Sequence, residues 1–375
     1  MRLALHAGTL RGFGSGVVGR AIAESLRKLE GVDALLVLLP SEWPDTWPPE
    51  PEGQALSPLT LHRLPSGFAS KFIGENLTLR RLLKSWRADA LLSLTDTSMI
   101  ACPLPHVLMV QQAFLAYAPD RLGFSLPVSV KRRFQAMSAY MRLGLGGVER
   151  VSVQSEHMKR EFCARWSFAP EHVRVIPSTI QPGARRLASA SIASPAEAPY
   201  VAYVSGPGPH KNHQVLAPMM AAMADSHPEL RCLLTLEPEA VPGLVERAKA
   251  LSVYERFDFV GSLYAEEAMT RLSRASAALL PSRIESFGIP YYESMALGVP
   301  AIASDVPCAR EALGEGALYA PADDGEAWAR ALTQVLDERQ ERSQAARERF
   351  VAIERSWDQI AADYLELVYE AMGRR

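Results

Sequence analysis

The chain has 375 residues, of which 48% are hydrophobic and 22% charged, and a formal net charge of −2. That length accommodates two cored domains at about 150 residues each, and that hydrophobic fraction excludes wholesale disorder. No apolar run approaches the roughly 18 residues of a membrane-spanning helix, and the N-terminus meets Gly and Arg too soon for a secretory signal.

Four scattered cysteines (Cys102, Cys163, Cys232, Cys308) point to buried thiols in a reducing cytoplasm rather than to a disulfide framework or zinc site. The near-zero charge hides an asymmetry. Before residue 181, 21 Lys+Arg stand against 15 Asp+Glu, giving +6; from there on, 19 stand against 27, giving −8. Such a split hints at a basic face on the first half.

Along the first half, residues 2–7, 33–39, 90–94, 106–111 and 150–154 read as strands. Between them, residues 17–29, 77–86, 130–143 and 156–166 carry helical periodicity. Strand–helix alternation predicts a parallel, doubly wound sheet. Residues 40–58, with Trp43, Trp47 and six prolines, read as a loop. After the first strand comes a glycine-rich stretch in which Gly14, Gly16 and Gly19 spell G-x-G-x-x-G. About six residues separate the strand from it, and no acidic residue ends the next strand, so a dinucleotide fingerprint fits poorly. A loose glycine loop facing a ligand fits better, with Gly14, Ser15 and Gly16 as candidates and Arg11 as a weaker one. Residues 130–143 set Lys131, Arg132, Arg133 and Arg142 beside Phe134, Met137, Tyr140 and Met141. A solvated basic face and an anionic-membrane contact both fit that pattern.

Residues 182–199 are rich in Ala, Ser and Pro, lack apolar periodicity and read as a linker. A second alternation follows, with strands at 200–205, 231–236, 257–260, 277–280 and 301–304 and helices at 264–273 and 291–297. A charged helical stretch spans 325–355, and a last helix spans 357–372. The expected division is therefore 1–181, a linker at 182–199, 200–355, and a terminal helix at 356–375. A cleft between two doubly wound domains is the natural ligand site.

The second domain opens on Ser205-Gly206-Pro207-Gly208-Pro209-His210-Lys211, a strand running into a Gly/Pro loop with a cation. Lys211 is placed to neutralise a diphosphate; His210 is a candidate donor, and His213 caps or packs on the next helix. Further on, PSRIESFGIPYYESMALGVP (281–300) turns from a strand into a helix opened by Gly288, Ile289 and Pro290. The backbone amides of Ser286, Phe287 and Gly288 then lie near a helix N-terminus, a ready site for a phosphate or sugar oxygen. Glu285 precedes the turn and Glu293 sits about one turn inside it.

In the frame S-R-x-E-S-F-G-x-P-x-x-E-x-M-A-x-G-x-P, these residues resemble the retaining family 4 glycosyltransferases of GT-B fold. The resemblance covers most of 150–375, where 152–180 resembles the strand–helix–strand before the linker, and covers the first 150 residues only in pattern. It implies two Rossmann-like domains facing each other across a cleft, with the C-terminal helix returning to the first. It also implies transfer of a hexose from a nucleotide-diphosphate sugar to a glycan or lipid-linked acceptor, with retention. Glu285 is then near the donor sugar hydroxyls, Glu293 near the ribose, and Lys211 at the diphosphate, with Lys211 and Glu285 the catalytic pair. The glycine loop at Gly14–Gly16 approaches donor phosphate or acceptor.

Two departures stand out. The Arg that partners the family's Lys is missing, with His210 or Gly206 near its place. Gln111-Gln112 replaces His-Asp, and a Gln can hydrogen-bond a sugar hydroxyl but cannot transfer protons. None of the thirteen aspartates forms a D-x-D pair, so no metal or other cofactor is expected and Lys211 with helix-end amides neutralises the diphosphate. A GDP-sugar such as GDP-mannose, surface-polysaccharide or lipopolysaccharide assembly, and a cytoplasmic place at the inner face of the plasma membrane are the family-level expectations, with no nucleic acid partner. A non-catalytic nucleotide-sugar binder, an NAD-dependent oxidoreductase and a nucleotide-sugar epimerase stay open as alternatives.

Overall fold

The computed structural model describes residues 1–8, 10, 13–41, 56–64, 72–189 and 199–373, with backbone alone for 13–15, 17, 182 and 189. Most of the 40–58 stretch, Arg11 and the latter half of the expected linker lie outside them.

The chain divides into two compact units. The first comprises Met1–Arg121, Pro127–Ser178 and Arg355–Arg375; the second comprises Leu122–Leu126 and Thr179–Glu354.

The first unit is built on seven parallel strands in the order β3-β2-β1-β4-β5-β6-β7. They are β1 (Arg2–His6), β2 (Ala34–Pro40), β3 (Leu59–Leu64), β4 (Ala90–Ser93), β5 (His106–Met109), β6 (Arg150–Val153) and β7 (Val173–Val175). Near-continuous Leu, Val and Ala in β1, β2 and β4 fits a sheet covered on both faces. One face packs on helix Phe13–Leu26 and on helix Trp357–Ala371, whose Ile360, Ala361, Tyr364, Leu367 and Val368 join Leu3, Leu5, Val37 and Leu92 in one core. Ser356 and Gln359 close the start of that last helix as a capping box, and the Ser152 hydroxyl donates to the Tyr364 hydroxyl at 3.2 Å. Each of its large buried apolar side chains contributes about 1.5–3 kcal/mol of transfer free energy, so the end of the chain is integral to the N-terminal core.

The second unit has six parallel strands, ordered β10-β9-β8-β11-β12-β13: β8 (Tyr200–Tyr203), β9 (Arg231–Leu234), β10 (Phe257–Phe259), β11 (Ala277–Leu280), β12 (Ala301–Ser304) and β13 (Ala317–Ala320). In both sheets the order reverses at the centre, between β1 and β4 and between β8 and β11. Ligands of open parallel sheets bind beyond the carboxyl ends of such strands.

The two doubly wound domains are as expected; several local elements differ. Strands β3 and β13 stand at sheet edges where no strand was expected. The tract expected as linker begins with helix Pro182–Ser189, because Ala184 is buried and Leu187 and Ala188 pack on the core beside β11 and β12. Its apolar residues recur at helical spacing, but Ala is too small to read as periodicity. The stretch 325–355 is two helices, Gly325–Asp337 and Arg339–Ile353, broken at Glu338. Helix Phe13–Leu26 starts four residues early, so Gly14, Ser15 and Gly16 lie in its first turn rather than in a loose loop. Gly19 serves close packing: a Cβ there would stand 2.5 Å from Leu10 Cδ1. Before helix Arg80–Trp86 stands a π-helical segment, Gly74–Leu79.

Candidate functional site

In the second unit, β8 ends at Tyr203 and β11 at Leu280, and the segments leaving these neighbouring strands meet. The Lys211 ammonium donates to Glu285 Oε1 at 2.5 Å, with 16% and 12% of the two side chains' surface exposed. The fully buried Tyr203 hydroxyl donates to the Lys211 carbonyl at 3.0 Å and pairs with Ser282 Oγ at 3.2 Å, fixing one segment on the other. The Arg283 amide donates to the His210 carbonyl at 2.8 Å. Asn212 sits in the left-handed region (φ 53), which Asn tolerates better than most residues, and its side chain donates to the Ala322 carbonyl and accepts from Arg283.

The electrostatics follow from this placement. Burial pushes the Glu285 carboxyl up, but the Lys211 ammonium, His210 and bonds from Lys211 and Ser282 outweigh it and hold the group below its ordinary value. Burial likewise favours neutral Lys211, and Glu285 overcomes it, raising the ammonium. The pair is therefore charged at neutral pH. Burial lowers His210 to about 4, with Lys211 adding to it against the pull of Glu285, and lowers His213 to about 4, with Lys211 and His210 adding to it. His210 is thus a neutral imidazole, able to donate one hydrogen bond but not to supply the missing cation. His213 does not cap a helix; it packs on Tyr203 at 5.0 Å between ring centroids and pairs with Ser205 Oγ at 3.1 Å. The Ser205 amide donates to Thr235 Oγ1, whereas Gly206 is exposed with open space where a Cβ would stand.

Gly288 caps the start of helix Ile289–Leu297 with φ 75, and a Cβ there would meet the Tyr291 ring at 2.5 Å, so glycine is required. Phe287 is buried and stacks on Tyr292 at 3.9 Å, fixing the turn that carries the amides of 286–288. Glu293 is 6% exposed in this helix, and burial raises its carboxyl to about 7. The structure thus assembles His210, Lys211, Glu285 and Ser286–Gly288 within one unit, with Ser205 beside His213 on the same loop.

Sequence reasoning missed the struts: Tyr203, Ser282, Asn212 and Arg283, which pairs with Asp323. Cys308 is a buried thiol as expected, and burial with the Glu285 charge pushes it up to about 12. Ser282 and Arg283 carried a signal, as the first two residues of the S-R-x-E frame.

In the first unit, the corresponding edge carries His6, Asp96 and Gln111. Asp96 has φ 63, and its Oδ1 accepts from the Gln111 and Gln112 amides at 2.7 and 2.8 Å. The Gln111 side-chain amide donates to the Leu94 carbonyl at 3.0 Å, leaving its oxygen as an acceptor for a ligand. Gly14, Ser15 and Gly16 contribute first-turn backbone amides, which have no acceptor four residues back in their own helix. Among the described residues there is no group of three or more His, Cys, Asp or Glu placed to hold a metal ion, and no helix is long and apolar enough to cross a membrane.

Residues 13–179 match the family model for the glycosyl transferase 4-like domain, and residues 185–350 match that for glycosyl transferases group 1. The O-antigen chain mannosyltransferase RfbU of Salmonella typhimurium is 29% identical over 136 residues, which are 36% of this chain and 38% of that protein. The chain therefore matches well under half of that relative's length. Sucrose-phosphate synthase from Thermosynechococcus elongatus superimposes over 100% of this chain and 99% of its own with a TM-score of 0.70 at 19% identity. Anabaena Alr3699/HepE in complex with UDP does so over 99% and 100% with a TM-score of 0.69 at 14% identity. These likenesses establish the same fold, and the two family models between them span both units: the chain belongs to the family 4 glycosyltransferases of GT-B fold.

Proposed function

We propose that the chain is a retaining hexosyltransferase that moves a hexose from a nucleotide-diphosphate sugar, GDP-mannose or a related GDP-sugar, to a glycan or glycolipid acceptor of a cell-surface polysaccharide or lipopolysaccharide. The observation that carries it is the Lys211–Glu285 pair beyond β8 and β11, beside the amides of 286–288. The mannosyltransferase name of one relative favours the sugar, and the UDP bound in HepE favours a nucleotide in this fold.

In this reading the donor diphosphate takes a bond from the Lys211 ammonium. With the amides of 286–288, Lys211 supplies the positive potential for a metal-independent reaction. Glu285, released from Lys211 or shared with it, orients sugar hydroxyls, and ionised Glu293 accepts from the ribose diol. His210 donates one hydrogen bond, and Ser205 and Gly206 let the donor approach the backbone. The bond from the anomeric carbon to the phosphate oxygen breaks and the acceptor oxygen attacks from the same face. The departing diphosphate takes the acceptor proton, so no side chain need act as base. Gln111 offers its amide oxygen to a hydroxyl where relatives carry His.

The acceptor side is supported by helix Val128–Gly144, whose Lys131, Arg132, Arg133, Arg142, Val128 and Leu143 are exposed without a single acidic residue. Such a face suits peripheral contact with the cytoplasmic leaflet. The test is titration with UDP and GDP, then transfer from the matching sugar with chelator present. Lys211→Ala that transfers as the wild type overturns the site assignment; nucleotide binding without transfer to any acceptor favours a non-catalytic binder.

A further inference from the structure

We propose that the π-helical segment Gly74–Leu79, with Phe72 and Ile73 just ahead of it, is a lipid-penetrating element whose exposed apolar side chains enter an anionic phospholipid bilayer beside the basic helix Val128–Gly144. The inference rests on the reading of that helix as facing a membrane and adds the part that leaves water.

The first unit leaves Phe72, Ile73 and Leu77 exposed over 44%, 54% and 53% of their surface. Leu77 follows Ile73 by about one helical turn, so the two share a side. The polar residues of the same stretch are turned inward. Glu75 is 1% exposed; one carboxylate oxygen accepts from the Tyr140 hydroxyl at 2.7 Å and the other stands 3.0 Å from His6 Nε2. Asn76 donates to the Tyr140 hydroxyl at 3.0 Å and accepts from the Ile100 amide at 2.8 Å, and Arg80 donates to the Ile100 carbonyl at 2.7 Å. Of the two leucines in the segment, Leu79 is in the core and Leu77 is out. Burying a carboxylate while leaving Ile and Leu in water costs free energy on both counts, and π-helical turns concentrate at functional sites. The arrangement is recovered where the surroundings of Ile73 and Leu77 are themselves apolar.

Tyr140 ties this stretch to helix Val128–Gly144: besides its bonds to Glu75 and Asn76, its ring centroid lies 5.6 Å from that of Phe72. Leu143, 60% exposed, stands three residues on from Tyr140 in the same helix. The charge around these apolar groups has one sign. Lys131, Arg132, Arg133 and Arg142 are exposed on that helix, and Arg81 and Lys84 on helix Arg80–Trp86, which continues from Leu77; neither helix holds an acidic residue. None of the six cations forms an ion pair among the described residues. By contrast, the two most exposed apolar side chains of the second unit, Tyr264 and Val351, stand beside Glu266, Glu267 and Glu348. A second copy of this chain seated on the patch would set its cations against one another. An apolar interior with a negative rim matches it, which is what a bilayer of acidic headgroups presents. Apolar burial and cation attraction are also the two signals that surface anchoring takes together.

The test uses the full chain and sedimented vesicles, made of equal parts phosphatidylglycerol and phosphatidylcholine or of phosphatidylcholine alone. The wild type is expected to bind the anionic vesicles. Ile73→Ser and Leu77→Ser are each expected to bind them about fivefold more weakly, the loss from keeping half of a large aliphatic side chain in water. Lys131→Gln and Arg132→Gln are expected to cost about fivefold each, an effect that high salt removes while the effect of Leu77→Ser persists. Leu77→Trp is expected to be quenched by brominated lipid chains above the wild-type background, and Val351→Trp to stay at that background. The Ser variants are expected to melt as the wild type; if one fails to fold, the quenching of Leu77→Trp decides. Anionic-vesicle binding that both Ser variants keep in full, or an unquenched Leu77→Trp, overturns the insertion and leaves helix Val128–Gly144 as a charge-only contact. Absence of binding to either vesicle overturns the membrane reading and the insertion together. Self-association of the wild type that Leu77→Ser abolishes overturns the proposal in favour of a second copy.

Discussion

The ammonium of Lys211 and the carboxylate of Glu285 lie 2.5 Å apart, from two segments that leave neighbouring strands 74 residues apart in sequence. Each holds the other ionised against burial. In the proposed reaction, this cation meets the donor diphosphate. Lys211→Ala is therefore expected to lower transfer by about 10²–10³-fold.

The same substitution has a signature independent of substrate. It leaves Glu285 buried without its cation, at a cost of about 3 kcal/mol. In the wild type the depressed Glu285 contributes stability above the unfolded carboxyl value, lost as pH falls. In Lys211→Ala the sign reverses, because burial now dominates and protonation relieves it. The gap between the two melting temperatures should be widest near pH 7–8 and close towards pH 4, read by thermal scans across that range.

Glu293 predicts the opposite slope from the native protein. Its folded value of about 7 lies above the 4.5 of an ordinary Glu, so the folded state holds the proton longer. Stability from this group is complete below about pH 4.5 and declines as pH rises to about 7, by roughly 3 kcal/mol in all. Glu293→Gln should flatten that limb of the stability–pH curve. If the ribose diol donates to the ionised group, nucleotide binding below pH 7 should also release a proton, measurable as a buffer-dependent heat.

Gly288→Ala tests the turn. The added methyl enters the left-handed region and meets the buried Tyr291 ring. A loss of about 1–3 kcal/mol is expected, together with weaker nucleotide binding, since the amides of 286–288 move with the turn.

Tyr364→Phe removes the hydroxyl that accepts from Ser152 and should cost about 1 kcal/mol, seen in urea unfolding. Removing residues 356–375 strips a whole face of the first core. It should leave that unit without a cooperative transition while the second unit keeps its own.

Both sheets were legible because their central strands are unbroken apolar runs between amphipathic helices. β3 was not, since Leu59–Leu64 alternates Leu with Thr, His and Arg on an exposed edge. Helix Pro182–Ser189 was hidden by small residues whose burial depends on the surface they meet. Lys211 stood in one contiguous motif and Glu285 and Glu293 in another, each with a phosphate-binding logic of its own. Tyr203, Asn212 and Asp96 did not, because each acts by bonding backbone brought near only by the sheet. His6 was read as strand, and Glu75 lay just ahead of the expected helix with no local pattern to mark it.

Because Tyr364 and Val368 complete the core around Leu3 and Leu5, the part of the chain made first is the last that can finish folding. A nascent protein can close its second sheet once residues up to about 354 are out of the ribosome, while the first still lacks one wall. Until some 15 further residues follow, β1, β2 and β4 present an uncovered Leu- and Val-rich face, the state most prone to sticking to another chain. Slow translation of the stretch that encodes Trp357–Ala371 therefore lengthens the time for which that face stays open.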